Sequence, residues 1–213
     1  GSEMCIRDSK ETCQVYGGKI QSIWITAYAE RGTAAGSYEG KVLITTSCGR
    51  LETGLKVYVH SAVLPENSKA AFATEYWMHT VNFWFHFPNA EQMDLLNYYY
   101  GCQKYSDAWW KINRAIAQNM KENRINVLFV RTLDLLLDGG SWKDDSGKWN
   151  FCWELFDEWT AFFEEYADIK LFAGYHLVVQ TEGKRIYLLD RIDGKTQVGM
   201  AEIGSEKAED WME

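Results

Sequence analysis

Side chains capable of acid–base, nucleophilic or metal chemistry are scattered along this chain. The four histidines, His60, His79, His86 and His176, form no HExxH or comparable pair. The five cysteines, Cys5, Cys13, Cys48, Cys102 and Cys152, contain no CxxC and match no zinc spacing. No metal site and no cofactor is expected. An odd, dispersed set of cysteines is not a disulfide scaffold either, and it assigns no redox compartment. Two acidic doublets stand out. Asp144-Asp145 falls in a polar loop and is assigned no chemistry. Asp157-Glu158 sits between Phe156 and Trp159, where the pattern predicts a helix with a packed stripe and a solvated face. The third resource is aromatic: ten Trp, twelve Tyr and ten Phe. Most of these rings are expected to fill a core, and a subset to line a groove for a flat, partly apolar ligand such as a sugar ring.

The elements that would carry such side chains must fit in 213 residues, enough for one large domain or two small ones. A hydrophobic fraction of 46% is that of a globular chain. The formal net charge of −8, with no cluster of Lys and Arg, excludes a surface that neutralises nucleic-acid phosphates. It also disfavours an anionic membrane surface. No apolar run reaches the roughly 18 residues of a membrane span.

Residues 1–9, GSEMCIRDS, lack the apolar core of a signal peptide. They resemble a translated sequencing-adapter remnant, and residues 1–14 are set aside as a non-native or disordered terminus. On this reading Met4 is not a start and any signal peptide lies upstream.

Residues 15–70 read as strands. Ile23, Ile25 and Tyr28 lead to a polar turn at 30–36; Tyr38, Val42, Ile44 and Thr46 lead to a second turn at 48–50. Leu55, Val57 and Val59 then alternate with Lys56, Tyr58 and His60, the period of a half-buried strand. Three or more strands are expected, as the end of an antiparallel β-sandwich. Pro65 closes the region, and the polar run after it has the composition of a linker.

In residues 71–213 the period changes. Strands are predicted over 81–87, 125–133 and 171–179. Between them, Ser106 caps a helix striped by Trp109, Ile112, Ile116 and Met120, and Leu155, Trp159, Phe162 and Tyr166 stripe a second. This βαβαβ order implies a parallel sheet with right-handed crossovers. Long strand-to-helix loops and short helix-to-strand loops suggest the first portion of a (β/α)₈ barrel, whose working loops sit at the C-terminal ends of the strands. The fold class is therefore α/β. A hairpin turning at Asp193-Gly194 and the start of a further helix from Ser205 complete the pattern.

Two stretches carry a family resemblance. IWITAYAERGTAAGSYEGKVLITT followed by LKVYVHSAVLPE resembles the sandwich domain that precedes the catalytic barrel in glycoside hydrolase family 123. Phe85 to Pro88, Tyr99-Tyr100-Gly101, Tyr105-Ser106-Asp107, WNFCWELFD at 149–157 and GYHLV at 174–178 resemble the start of that barrel. The resemblance covers roughly residues 20–180. It implies an enzyme that removes terminal β-linked N-acetylgalactosamine by substrate assistance. In that scheme the acetamido oxygen attacks its own anomeric carbon, one carboxylate orients the amide, and an adjacent glutamic acid protonates the leaving oxygen. It further implies a glycan partner and export to the periplasm or extracellular space. The family's adjacent Asp-Glu pair belongs at the end of a later barrel strand. None is found at a predicted parallel strand end, so the pair is expected beyond Glu213 and the chain alone is expected to be inactive.

Candidate substrate contacts follow. Asn82, Trp84 and His86 share the strand face expected in the barrel interior, opposite Phe83, Phe85 and Phe87. His86 and His176 either meet substrate or are hydrogen-bonded interior histidines. Arg131 and Asp134 either bind sugar hydroxyls or pair with each other. Trp142 and Trp149 either stack on a sugar or cover the barrel end. A carbohydrate-binding protein without hydrolytic activity, and a self-contained βαβ protein with another small-molecule site, are the competing expectations.

Overall fold

The computed structural model describes residues 17–20, 22, 25–76, 95–178 and 184–212. The chain divides into two compact units, Gly1–Leu64 and Pro65–Glu213.

The first unit holds one long hairpin. Strands β1 (Gly36–Thr46) and β2 (Gly49–Val59) pair antiparallel, from Gly36 opposite Val59 to Thr46 opposite Gly49. Ser47 and Cys48 therefore make the turn, rather than residues 48–50, and Gly49 takes φ 143°, which favours glycine. Because directly opposed residues share a face, Tyr38/Val57, Gly40/Leu55, Val42/Thr53 and Ile44/Leu51 form one apolar side. The other side is charged, with Lys56 paired to Glu39 at 3.0 Å and Lys41 to Glu52. The expectation of three or more strands is not met among the described residues: 25–30 have no regular structure.

The second unit is built on a parallel sheet of order β3 (Glu75–Tyr76), β4 (Val127–Val130) and β7 (Leu171–Gly174). All four residues of β4 are buried, as a central strand covered on both faces requires. Leu128 and Val130 point to one face, into a core shared with Trp109, Met120, Trp159, Phe163 and Ile169. The helices on that face are α2 (Asp107–Glu122) and α4 (Glu154–Ala167); a short α1 (Leu95–Tyr100) precedes them. Helix α2 starts where Ser106 Oγ accepts the Trp109 amide, with Asp107 favourable at the positive end of the helix dipole. Its stripe meets that of α4 through Trp110 and Phe162, centroids 4.8 Å apart. The sequence-predicted strand over 81–87 lies outside the described residues.

Three differences from the sequence expectation concern the connections. The strand predicted over 125–133 stops at Val130, and α3 (Thr132–Asp138) begins at once. The long loop after it contains a small hairpin of β5 (Trp142–Lys143) and β6 (Trp149–Asn150). The strand predicted to Val179 is regular only to Gly174, after which Val178 bridges antiparallel to Ile186. That bridge leads into β8 (Arg185–Ile192) and β9 (Lys195–Glu202), a hairpin whose turn residues Asp193 and Gly194 have φ 51° and 76°. Positive φ at both positions is the type I′ geometry that matches strand twist. Helix α5 (Glu206–Met212) packs Ala208 and Trp211 on Ile186, Leu188 and Ala201. Among the described residues the architecture is mixed α/β with one parallel sheet and three antiparallel pairs, and no closed barrel.

The run after Pro65 does more than connect. Asn67, in a single 3₁₀ turn (Asn67–Lys69), is buried. Its side-chain amide donates to the carbonyls of Ile125 (2.6 Å) and Ala167 (3.1 Å). Asp168 ends α4 at φ 53°, and its carboxylate accepts the Asn67 amide at 2.8 Å and the Ser68 hydroxyl at 2.7 Å. Asn126 holds Thr74 and Phe72 in the same way. This polar latch fixes the segment leading into β3 against the N-terminal ends of β4 and β7.

Candidate functional site

Two cavities lie beside the β8–β9 hairpin. The first is at the C-terminal ends of β4 and β7. Arg131 follows the last residue of β4 and serves as the N-cap of α3; Asp134 lies in the first turn of that helix. The Arg131 guanidinium donates from Nε to Asp134 Oδ2 at 2.7 Å, with both side chains 4% exposed. It also lies 4.4 Å from the centre of the Tyr175 ring. Tyr175 is held there because its amide donates to the Val130 carbonyl at 3.0 Å. Burial raises the Tyr175 phenol above its ordinary pKa, against the opposing pull of the Arg131 charge, so it is a neutral hydrogen-bonding group at physiological pH. Leu133, Leu177, Tyr187 and Val198 close the cleft, whose volume is about 20 Å³. That is room for a water molecule and not for a sugar ring. A buried Arg–Asp pair in this position braces the strand-end loops.

The second cavity is a groove of about 330 Å³ between the β5–β6 hairpin, β8 and α5. In the β5–β6 ladder Lys143 opposes Trp149, so both side chains project from one face, and Lys143 Nζ lies 6.0 Å from the Trp149 ring centre. Asp144 shapes the connecting turn: its Oδ1 accepts the Ser146 hydroxyl at 2.6 Å and the amides of Ser146 and Lys148. These bonds, the Ser146 hydroxyl foremost, lower the Asp144 carboxyl below its ordinary pKa. Trp149 meets Trp211 of α5, centroids 5.5 Å apart at 88°, and Phe151 meets Trp211 at 5.3 Å and 84°. Asp190, Glu206, Asp210 and Lys207 line the rest. Lys207 donates to Asp190 Oδ2, and the Arg191 amide donates to Asp190 Oδ1 at 2.9 Å.

The residues expected from sequence to contact substrate thus fall into separate places. Arg131 and Asp134 come together, joined by Tyr175. His176 is exposed beside them, its ring 6.0 Å from that of Phe129 and 5.9 Å from that of Tyr175. Trp149 belongs to the groove. Trp142 projects from the opposite side of the β5–β6 ladder and is 50% exposed. Trp84 and His86 lie outside the described residues. Asp157 and Glu158 are exposed on α4. Tyr175, Tyr187, Asp190, Lys207 and Trp211 line these cavities without being among the residues expected from sequence. Tyr175 had a signal, since it directly follows β7 as Arg131 directly follows β4. The groove had none, because its walls come from three separate segments, 143–149, 188–190 and 206–211, that only the tertiary fold brings together.

Among the described residues no group of His, Cys, Asp and Glu is placed to hold a metal ion, and no helix is long and apolar enough to cross a membrane. No protein-family model and no curated protein matches the chain.

Proposed function

We propose that this chain is part of a glycan-processing enzyme of the glycoside hydrolase family 123 type, acting on terminal β-linked N-acetylgalactosamine. The observation that carries the proposal is where the quoted motifs fall. Tyr99-Tyr100-Gly101 ends α1, Tyr105-Ser106-Asp107 caps α2, WNFCWELFD runs from β6 into α4, and GYHLV leaves the end of β7. Helix α4 lies between the parallel strands β4 and β7, as a helix of such a barrel would, and the last motif leaves a strand's C-terminal end, where such enzymes work. The first unit's hairpin, apolar on one side, suits one layer of a sandwich.

The chemistry needs an adjacent Asp-Glu at a strand end. Beyond β4 stand Arg131-Thr132, and beyond β7 stand Tyr175-His176. The reading therefore places the pair on a strand outside this sequence. Lacking the proton donor alone removes a factor of roughly 10²–10⁴. The deciding experiment assays residues 1–213 beside a version extended along the parent gene, on an aryl β-N-acetylgalactosaminide. Turnover is expected from the extended chain alone. Turnover by residues 1–213, or an extended chain with no strand-end Asp-Glu and no activity, would overturn the proposal.

Carbohydrate binding without hydrolysis is the second reading. The half-exposed aromatic groove favours it, because such a surface grips a sugar without any catalytic carboxylate.

A further inference from the structure

The groove is walled unlike the strand-end cleft. Trp149 and Trp211 stand almost perpendicular and form a corner, and both remain partly open to solvent. Such rings offer a flat apolar face with a polar edge. The carboxylates of Asp190, Glu206 and Asp210 share the lining, the last two on the same helix as Trp211, together with the buried Leu188 and Leu189. The volume of about 330 Å³ falls within the range of roughly 300–1,000 Å³ usual for small-molecule pockets.

The charges narrow the ligand. Three carboxylates and two lysines, Lys143 and Lys207, leave the lining close to neutral, which suits neither a phosphate nor a multiply charged cation. Carboxylates beside an aromatic corner suit a molecule with an apolar C–H face and donor hydroxyls around its rim. Asp190 is held in position for this. Its side chain is 17% exposed, fastened by Lys207 and by the Arg191 amide. It also lies against Gly199, where an added Cβ would meet Asp190 Cβ at 2.9 Å and Oδ2 at 3.1 Å. Only glycine at 199 lets the carboxylate occupy this position.

The groove is separate from the strand-end cleft. The cleft is lined by Arg131, Asp134, Tyr175 and Tyr187 and the groove by Lys143, Trp149, Asp190 and Trp211, with no residue in common.

We propose that this groove is a saccharide subsite taking a neutral pyranose. The sugar sits in the corner of Trp149 and Trp211, its apolar face on one indole and its edge against the other, and its hydroxyls donate to Asp190, Glu206 and Asp210. The ligand class rests on the glycan reading above; hydrolysis plays no part in it.

The test uses residues 1–213 with ¹⁵N-labelled tryptophan. The indole N–H signals of Trp149 and Trp211 are assigned from single Trp→Phe variants. Titration with N-acetylgalactosamine and, separately, methyl β-D-galactopyranoside is expected to shift both signals saturably. Glu206→Gln and Asp210→Asn, at exposed positions, are expected to weaken binding about fivefold each, because a neutral amide oxygen replaces a charged acceptor. Trp211→Ala is expected to abolish it, and Asp145→Asn, in the turn, to leave it unchanged. Should Trp211→Ala fail to fold, the Glu206→Gln/Asp210→Asn double variant decides. Absence of a saturable shift with both sugars, or undiminished binding by the double variant, would overturn the subsite. An extended chain inactive on the aryl glycoside but with an intact groove response would sink the hydrolase reading and leave the subsite standing. An active chain whose two indoles stay silent would do the reverse.

Discussion

Asp168 does two jobs at one position, and both constrain its replacement. At φ 53° it pays the cost of left-handed backbone, which Asp and Asn tolerate best after glycine. Its carboxylate also gathers donors from Asn67 and Ser68. Burial by itself would raise that carboxyl, but the Ser68 and Asn67 hydrogen bonds and the charge of Lys121 outweigh it and hold its pKa below the ordinary carboxylate value. A depressed carboxyl stabilises the fold above its unfolded pKa and loses that contribution as pH falls through the folded value. Urea unfolding should therefore show stability draining away below about pH 4, with the slope reduced in Asp168→Asn. Asp168→Ala should cost about 1–3 kcal/mol at neutral pH, from the unsatisfied donors it leaves; an unchanged urea midpoint would remove the latch from the account. Arg131 and Asp134 give the second residue-scale expectation. Each is 4% exposed, so Asp134→Ala removes the carboxylate that neutralises a buried guanidinium and should cost about 3–5 kcal/mol. A loss near zero would mean that water reaches the pair.

At the scale of elements, what was legible depended on how many signals agreed. Helices α2 and α4 carried several at once: the Ser106 cap, apolar residues three and four apart, and stripes long enough to set the period. The Asp193-Gly194 turn was legible because two positive φ angles leave few other residue choices. Helix α3 was not, for three physical reasons. It is short, its N-cap is Arg131 with no side-chain cap bond, and TLDLLLD continues the apolar run of β4, so no period separates strand from helix. The two-residue strands β5 and β6 are likewise too short to show alternation. The candidate site followed the same rule: Arg131 and Asp134, three apart, were found as a pair, whereas the Trp149–Trp211 corner depends on tertiary contact alone. The element-scale prediction concerns the α4 stripe. Trp159 is 1% exposed and touches Phe163 and Phe172, so Trp159→Ala should cost about 3–5 kcal/mol. Replacing the exposed Glu158 by Ala should change stability by less than about 0.5 kcal/mol. Equal losses in thermal unfolding would show the helix to be rotated from its described orientation.

For the molecule as a whole, the latch changes where the chain can be cut. A polar stretch after a proline invites a boundary within 67–76, but the side chain of Asn67 and the backbone around Phe72 and Thr74 are bonded into the second unit. Expression from Pro65 should yield a protein with dispersed amide spectra and a cooperative melt. Expression from Glu75 should not, because the carbonyls of Ile125 and Ala167, the carboxylate of Asp168 and the side chain of Asn126 lose their partners together. Equivalent melts from the two starting points would show the segment to be dispensable. Anyone building chimaeras from this chain should treat Asn67 as a hem stitched into the cloth that follows, and place the seam at least two residues ahead of it.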